Sequence, residues 1–451
     1  MGLTLIRKSS GVRKRNPKVA LVLAGGAVSG GAFKVGGLKA LDDYLTGRGV
    51  TDLDIYVGLS AGAILAVPLA GGLSPDAMVG VLDGTSEELN QLRPIDFYSP
   101  NWREFIRRPV RLGYEFASYL PGVTADWLRG LPSMPDSLGS AMRTFVRKPS
   151  YAHFEALAIR AIEHTAPRRR LPSITDQFPT GLFDNSSLEV WMRSNLERIG
   201  LPNDFRAFQR RRGVSLYLSA CDLDTAERVI FGADENCEVS ISQAMQASSA
   251  LPVFYKPARL NGIDYVDGGV RRTANIDIAI EKGADLIICY NPFRPFLNRV
   301  AKAETGEHTY RSDGHYLSDR GMKLVINQVF RTLLHSRLEL GLQRYLNDAS
   351  FQGDIVLLEP REHDSDFFSV NPLAFWRRSE AMQHGFESVR ATIEQNFAVL
   401  SEVFGSYGIE LDRDTAASRA KALWAERGWA AAEAEEDDPE TEARPLRLVG
   451  S

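Results

Sequence analysis

Gly58-Leu59-Ser60-Ala61-Gly62 joins two apolar stretches of the chain, and the patterns on its two sides predict a strand followed by a helix. Residues 54–57 are typical of a short buried strand, and residues 61–66 are typical of the first turns of a helix. A serine between Gly58 and Gly62 at such a junction predicts a nucleophile elbow, a sharp turn that presents the hydroxyl at the edge of a sheet. An ordinary tight turn between a strand and a helix is the alternative.

Strand-like and helix-like stretches alternate along most of the chain. The patterns predict strands at 18–24, 54–58, 214–221, 285–290 and 354–358, and helices at 32–47, 61–70, 276–282 and 324–346. This alternation predicts a three-layer α/β fold, in which helices cover both faces of a largely parallel central sheet. Ligands bind at the carboxyl ends of strands in such sheets, so we expect the site where residues 18–24 and 54–58 end.

Composition narrows the function classes. The chain has 451 residues, 44% of them hydrophobic, which is ample for one large or two medium domains. Its 53 basic and 57 acidic residues leave a net charge of −4, so no global field predicts a nucleic-acid partner. Cys221, Cys237 and Cys289 are irregularly spaced, which argues against a disulfide framework and against a zinc cluster. No apolar run reaches the roughly 18 residues of a membrane span, so we expect a cytoplasmic protein that is at most peripheral to a membrane.

Both ends of the chain and one internal segment depart from the alternating pattern. Residues 1–17 are basic and aperiodic, which predicts a solvated, disordered tail. Residues 413–451 are expected to begin as a helix and to end as an acidic disordered tail. Between residues 74 and 185, prolines interrupt helical fragments rich in aromatic residues and arginine. These fragments predict a helical insertion that covers the site and lines it with apolar groups; the core of an ordinary helical subdomain is the alternative.

The first predicted strand leads into Gly25-Gly26-Ala27-Val28-Ser29-Gly30-Gly31, which we call the glycine loop. Small residues let backbone N–H groups converge on an anion, either a phosphate or the oxygen of a tetrahedral intermediate. The dinucleotide fingerprint needs a glycine where Ala27 stands, and no Lys-Ser or Lys-Thr pair follows to complete a P-loop. An oxyanion hole therefore fits this loop better than a nucleotide site, and a plain glycine turn is the alternative.

Asp267 is the candidate base for the serine. It ends an apolar run and is followed by Gly268 and Gly269. Asp-Gly-Gly alone is most often a surface turn, but a serine nucleophile needs both a base and an oxyanion site. The competing Ser–Asp–His order would need one of the seven histidines, and none of them lies in a glycine-flanked loop after a strand.

The glycine loop, the G-x-S-x-G elbow and the distant Asp-Gly-Gly, in this order, resemble the patatin-like phospholipase family. Residues 220–225, 247–252 and 266–270 also look like signatures of that family. The resemblance implies a patatin-like catalytic domain over residues 18–291, with the insertion at 74–185 inside it. Residues 292–412 are then expected to form a mostly helical extension packed on the core.

The resemblance also implies roles for individual residues. Ser60 is the nucleophile and Asp267 the general base of a dyad that uses no histidine, cofactor or metal. The backbone N–H groups of Gly25, Gly26 and Ala27 are the oxyanion donors. The supporting glycines of the two loops are Gly30, Gly31, Gly268 and Gly269. The usual family loop has a third glycine where Ala27 stands and an arginine that this chain lacks; the loop here is similar to a bacterial Gly-Gly-Gly-Pro-Leu-Gly-Gly type.

The expected function is that of a serine acyl hydrolase, of the lipase or phospholipase A type, that cleaves fatty acyl esters through an acyl-enzyme. Its expected partner is a lipid or membrane-surface substrate, with no nucleic acid, and its protein partners are left open. Two alternatives stay open. One is a catalytically weak or inactive lipid-binding or regulatory module with the same fold, and the other is an acyltransferase that uses the same acyl-enzyme.

Overall fold

A computed structural model of the protein describes residues 2–9, 11, 14–130, 136–165, 178–297, 316–361, 364, 373–427 and 447–449. The strands, in chain order, are β1 Leu3–Arg7, β2 Val19–Leu23, β3 Leu45–Thr46, β4 Ile55–Gly58, β5 Gly181–Phe183, β6 Ser215–Asp222, β7 Arg228–Phe231, β8 Val253–Tyr255, β9 Ala258–Leu260, β10 Ile263–Asp267, β11 Leu286–Tyr290, β12 Asp354–Leu358, β13 Glu410–Leu411 and β14 Arg447–Val449. The five strands predicted from the sequence are confirmed as β2, β4, β6, β11 and β12.

The helices, in chain order, are α1 Ala27–Tyr44, α2 Ala61–Ala70, α3 Pro75–Asp83, α4 Pro94–Phe97, α5 Trp102–Gly130, α6 Asp136–Arg147, α7 Tyr151–Thr165, α8 Ser186–Arg198, α9 Phe205–Arg212, α10 Ile241–Ser248, α11 Ile276–Glu281, α12 Met322–Asn347, α13 Arg378–Gln395, α14 Phe397–Ser406 and α15 Arg413–Arg427. The four predicted helices are confirmed as α1, α2, α11 and α12. Helix α1 begins at Ala27, five residues before the predicted start, so most of the glycine loop is its first turn.

A central sheet has the strand order β14-β1-β12-β11-β2-β4-β6-β10-β9, with β7 paired to β6. The five strands β12, β11, β2, β4 and β6 run parallel to one another. On either side of them, β1 is antiparallel to β12, and β10 is antiparallel to β6. The predicted α/β class with a largely parallel sheet is therefore confirmed.

Strand β2 shows how two helical layers enclose the sheet. Its alternate residues Val19, Leu21 and Leu23 belong to a core cluster that includes side chains of α1, α2 and α13. The residues between them, together with Ala24, belong to a second cluster with side chains of α11 and α12. Alternation of side chains across a strand sends successive residues into opposite faces, which gives the predicted three layers.

Helix α1 is packed tightly against α13 through two glycines. A Cβ atom on Gly36 would lie 1.8 Å from the carbonyl oxygen of Met382, and one on Gly385 would lie 1.9 Å from that of Phe33. No side chain fits at either position, because real Cβ atoms do not approach backbone oxygen that closely. This backbone contact holds the helix whose first turn is the glycine loop.

The amino-terminal segment corrects the prediction of a disordered tail for residues 1–17. Residues Leu3–Arg7 form β1, which pairs with β12 on one side and with β14 on the other. Leu3, Leu5 and Ile6 are buried. Burial of an apolar side chain stabilises the folded state by about 1.5–3 kcal/mol. This strand is therefore ordered although the residues that follow it are basic.

The carboxy-terminal segment was predicted to begin as a helix, and α15 confirms that part. Residues Arg447–Val449, however, form β14 at the edge of the central sheet, which corrects the prediction that the chain ends in a disordered tail. Most of the acidic stretch, residues 428–446, lies outside the described residues.

The chain divides into two compact units, residues 1–99 with 183–451, and residues Pro100–Leu182. Within the second unit, helices α5, α6 and α7 account for most described residues. The predicted insertion at 74–185 is therefore too long, because α3 contributes the buried Met78 and Val79 to the core of the first unit. Its placement over the site stays a prediction.

Residues 292–412, expected to form a mostly helical extension, contain helices and also β12. Strand β12 pairs with β11, so this segment contributes a strand to the central sheet.

Candidate functional site

Ser60 occupies the turn between the end of β4 at Gly58 and the start of α2 at Ala61. Its backbone angles are φ 55° and ψ −127°, and the residue is buried. A non-glycine residue at positive φ costs on the order of 1–3 kcal/mol and persists where the surrounding structure holds it. The strand, turn and helix of the predicted elbow are thus present, with the backbone strain placed at the serine itself.

The second glycine of the elbow lets α2 approach β2. A Cβ atom on Gly62 would lie 2.1 Å from the carbonyl oxygen of Leu23 and 2.6 Å from that of Ala24. The Leu59 N–H donates to the same Leu23 oxygen at 3.0 Å, which ties the elbow to the strand that leads into the glycine loop. Only glycine at position 62 allows this contact.

Two serines that the sequence analysis did not assign a role hold the backbone of Ser60. The Ser60 N–H donates a hydrogen bond of 2.9 Å to Oγ of Ser248, at the end of α10. The Ser249 Oγ donates to the Ser60 carbonyl at 3.3 Å. Both serines lie within residues 247–252, which look like a signature of the patatin-like family.

The register of the sheet brings Asp267 to the level of Ser60. Gly58 pairs with Leu218 on β6, and Ser60 follows two residues later. On the other side of β6, Asp267 pairs with Ala220, two residues beyond Leu218. Two residues separated by 207 positions of chain (267 − 60) therefore meet at one edge of the sheet.

The Asp267 carboxylate is buried, and this burial raises its pKa from 3.8 to about 6. Three groups oppose the rise by favouring the charged form: the Ser60 side chain, the Gly269 N–H and the positive charge of Lys34. The Gly269 N–H donates to Oδ1 at 2.7 Å. Within the described part of the chain, Oδ2 is buried without a well-formed hydrogen bond, although the Ser60 side chain is near enough to affect the carboxylate.

The glycine loop lies against the serine. A Cβ atom on Gly25 would be 3.4 Å from Cβ of Ser60, and Ala27 has the positive φ of 50° where the chain turns into α1. Among the described residues, no group accepts the backbone N–H of Gly25, Gly26 or Ala27. The positive end of α1 and its unpaired donors are therefore available to an anion beside Ser60.

The supporting glycines pack closely around this centre. Gly30 faces Pro292, with 3.3 Å between a built Cβ and Cγ, and Gly31 faces the Cβ of Ala61 at 3.5 Å. Gly268 is the tightest, because its Cβ would lie 2.7 Å from the carbonyl oxygen of Ser219. A side chain at position 268 would therefore displace this loop, whereas the distance at Gly31 is that of an ordinary van der Waals contact.

Two of the histidines considered as members of a triad bind elsewhere. His335 on α12 lies 3.3 Å from the carboxylate of Glu359, and His384 on α13 lies 3.9 Å from that of Glu380. The residues described include no group of three or more histidine, cysteine, aspartate or glutamate side chains arranged to hold a metal ion. In the same part of the chain, no helix is long and apolar enough to cross a bilayer.

Fold and site together define an α/β protein with a serine on a strained elbow beside a buried carboxylate. The family model for patatin-like phospholipase matches residues 21–280, more than half of the chain. The chain therefore belongs to the patatin-like phospholipase family. It is also 29% identical over 105 residues to the probable lipid hydrolase 463L of Invertebrate iridescent virus 6, a match that covers 22% of this chain and 36% of that relative.

Three solved structures match with low sequence identity and with TM-scores below 0.5. VipD from Legionella pneumophila matches with a TM-score of 0.34 and 15% identity, over 87% of this chain and 70% of VipD. The type III effector ExoU matches with a TM-score of 0.31 and 14% identity, over 85% and 54% of the two chains. Human GIVD cytosolic phospholipase A2 matches with a TM-score of 0.33 and 9% identity, over 87% and 60%.

Proposed function

We propose that this protein is a serine acyl hydrolase that cleaves fatty acyl esters of lipids through Ser60 and Asp267. One observation carries the proposal: Ser60 sits on a strained elbow at the same level of the sheet as a buried carboxylate that its side chain affects. Family membership and the viral relative, which is described as a probable lipid hydrolase, support lipid esters as the substrate class.

In the first step Asp267 accepts the proton of the Ser60 hydroxyl while Oγ attacks the acyl carbonyl carbon. A pKa of about 6 leaves Asp267 charged at neutral pH and basic enough to accept the proton as Oγ bonds to carbon. The unpaired Oδ2 is the acceptor available for this proton. The carbonyl oxygen of the substrate becomes an oxyanion in the tetrahedral intermediate.

The glycine loop stabilises that oxyanion. The N–H groups of Gly25, Gly26 and Ala27 are unpaired among the described residues and lie at the positive end of α1. Donors held in place before the reaction contribute most where charge develops, and loss of one typically costs on the order of 10²–10³ in rate. Ala27 donates through its backbone, so the absence of a third glycine leaves the donor in place.

The second half of the reaction releases the acyl group. When the alcohol leaves, it takes the proton from Asp267, and an ester bond joins the acyl group to Oγ of Ser60. Water then gives a proton to Asp267 and attacks the same carbonyl carbon. Collapse of the second tetrahedral intermediate returns the proton to Ser60 and frees the fatty acid.

The test compares the wild-type protein with Ser60→Ala and Asp267→Asn, each checked for a native circular dichroism spectrum. We expect the wild-type protein to release fatty acid from phospholipid vesicles and to react covalently with a fluorophosphonate, and both variants to lose turnover. Ser388→Ala, a buried serine on α13, is the matched control and should retain activity. Turnover that survives in either dyad variant contradicts the dyad. A folded wild-type protein that binds vesicles without turnover or labelling would instead support a lipid-binding module.

A further inference from the structure

Lys34 is a buried cation that touches the glycine loop. It lies on α1 with no exposed surface, and its Nζ donates hydrogen bonds to the carbonyl oxygens of Ala24 and Gly25, the latter at 3.3 Å. Within the described ranges, no carboxylate is within 4.0 Å of this ammonium group. A buried lysine usually has an acidic partner. The burial of Lys34 must therefore have a reason other than an ion pair.

Lys39, five residues further along α1 (39 − 34), shows the usual arrangement. It is also buried, but its Nζ lies 2.5 Å from the Asp43 carboxylate and 3.1 Å from that of Asp76. The two lysines thus share a helix and a degree of burial and differ in what they bind. Lys39 neutralises carboxylates, whereas Lys34 binds two consecutive backbone carbonyls beside the reactive serine.

The two contacts of Lys34 also fix the direction of backbone N–H groups, because each peptide bond is planar. In a planar trans peptide the C=O and the following N–H point in opposite directions. The Ala24 carbonyl shares its peptide with the Gly25 N–H, and the Gly25 carbonyl shares its peptide with the Gly26 N–H. Because Lys34 holds both oxygens on one side, both N–H groups are turned to the other side, away from the ammonium group.

We propose that Lys34 is a positioning residue of the oxyanion hole, which sets the direction of the Gly25 and Gly26 N–H groups by binding the carbonyls of the same peptides. This inference rests on the proposed function, because it assigns Lys34 a task in the same reaction. Glycine at position 25 has no side chain to restrict its peptide planes, so an external group is needed to fix them. The same cation adds positive charge next to the developing oxyanion.

Lys34 is also coupled to the base. Its positive charge lowers the pKa of Asp267, and the charge of Asp267 in turn raises that of Lys34. Burial is the larger effect on Lys34 and brings its pKa down to about 7. The titratable groups that face it are Asp267 on β10 and Cys289 on β11, and burial raises the pKa of Cys289 far above the neutral range. Lys34 therefore loses its charge as the pH rises through about 7, while Asp267 keeps its own.

The experiment compares Lys34→Met and Lys34→Gln with the wild-type protein and with Lys39→Met as the buried-lysine control. Methionine keeps the shape and removes both charge and donors, whereas glutamine keeps an N–H donor. We measure kcat and KM for a soluble short-chain ester, and the affinity of a trifluoromethyl ketone, from pH 5 to 9. We expect Lys34→Met to lower kcat by about 10²-fold and to change KM by less than about threefold. The kcat of Lys34→Gln should lie between those of Lys34→Met and the wild-type protein. Ketone affinity should decrease in parallel with kcat.

The pH profile separates positioning from a merely structural role. In the wild-type protein, activity should rise through about pH 6 as Asp267 loses its proton and fall above about pH 7 as Lys34 does. In Lys34→Met the alkaline fall should disappear, and the acid limb should move to higher pH because Asp267 has lost a neighbouring positive charge. Lys39→Met should keep the wild-type profile.

The outcomes are distinguishable. Lys34 variants that match Lys39→Met in kcat, ketone affinity and pH profile would overturn the inference and leave the hydrolase intact. If neither Lys34 variant folds, the wild-type profile decides, since activity that stays level from pH 7 to 9 would overturn it. A folded wild-type protein with no Ser60-dependent turnover or labelling would overturn the proposed function and this inference together.

Discussion

The backbone N–H of Ser60 donates to the side-chain oxygen of Ser248 at 2.9 Å, across 188 residues of sequence. This bond joins the elbow after β4 to the last residue of α10. It also occupies the Ser60 N–H, which therefore cannot serve as an oxyanion donor. The serine hydroxyl is consequently presented by a backbone that is fixed from a distant segment.

Removal of that acceptor should loosen the elbow. In Ser248→Ala the buried Ser60 N–H loses its partner, which costs about 1–3 kcal/mol of unfolding free energy. Because the strained φ of Ser60 is no longer held, we also expect kcat to fall by about tenfold. Urea unfolding and ester turnover measure the two effects. Ser388→Ala should lose comparable stability with unchanged kcat, and equal kcat in both variants would contradict the assignment.

A methyl group at position 62 should displace α2 from β2. Gly62→Ala places Cβ against the backbone oxygens of Leu23 and Ala24, which cannot move without breaking the sheet. We expect more than about 2 kcal/mol of lost stability and loss of fluorophosphonate labelling. Gly405→Ala, in α14 with open space around it, should be neutral or stabilising by up to about 1 kcal/mol. Thermal unfolding of both variants, compared with wild type, tests the contact.

Asp267 should make the protein less stable as pH rises. Its folded pKa of about 6 is above the ordinary 3.8, so the folded state holds the proton more tightly, and stability falls between about pH 4 and 6. At about 1.4 kcal/mol per pH unit the change is on the order of 3 kcal/mol. Asp267→Asn, which cannot ionise, should be more stable than wild type at pH 7.5. Urea unfolding of both proteins at pH 4 and 7.5 checks this. Ser60→Ala keeps the carboxylate and should show the same fall in stability with rising pH as the wild-type protein. A difference in unfolding free energy between wild type and Asp267→Asn that does not change with pH would contradict this role of Asp267.

The central strands could be predicted from sequence because each is a short, mostly apolar run. Strand β4 also ends at a glycine, and β2 leads into the glycine loop. Strand β1 was missed for a physical reason. Its apolar residues are few and are followed at once by the basic Arg7 and Lys8, and its partners β12 and β14 are more than 340 residues away in the chain. Local patterns carry no information about such long-range pairing, which supplies most of the stability of this strand.

Truncation within β1 tests whether this strand belongs to the core. Leu5 is fully buried opposite Val356 of β12, so Leu5→Ala should cost about 2–5 kcal/mol. Thr4, its half-buried neighbour, provides the control, and Thr4→Ala should cost less than about 1 kcal/mol. Urea unfolding at pH 7.5 gives both values. Equal, small losses would restore the prediction of a solvated tail.

The candidate dyad and the glycine loop could be predicted because each lies in a motif with few residue choices. Lys34 and Ser248 could not, since a lysine in a helix is usually solvated and a serine near a helix end is usually a cap. Lys34 is buried because α1 packs against α13. Ser248 contacts the elbow because α10 ends beside Ser60. The signal that could have drawn attention to Lys34 is its place in a run of small and apolar residues, 30–38, with no acidic residue.

The most direct test of the Ser60–Asp267 mechanism is the mass of the protein during turnover of a slowly hydrolysed acyl ester. After rapid acid quenching, the wild-type protein should carry one acyl group, located by peptide mass spectrometry on Ser60, and Asp267→Asn should carry none. Steady turnover with no acyl group on Ser60, or with an acyl group on a different residue, would contradict this mechanism.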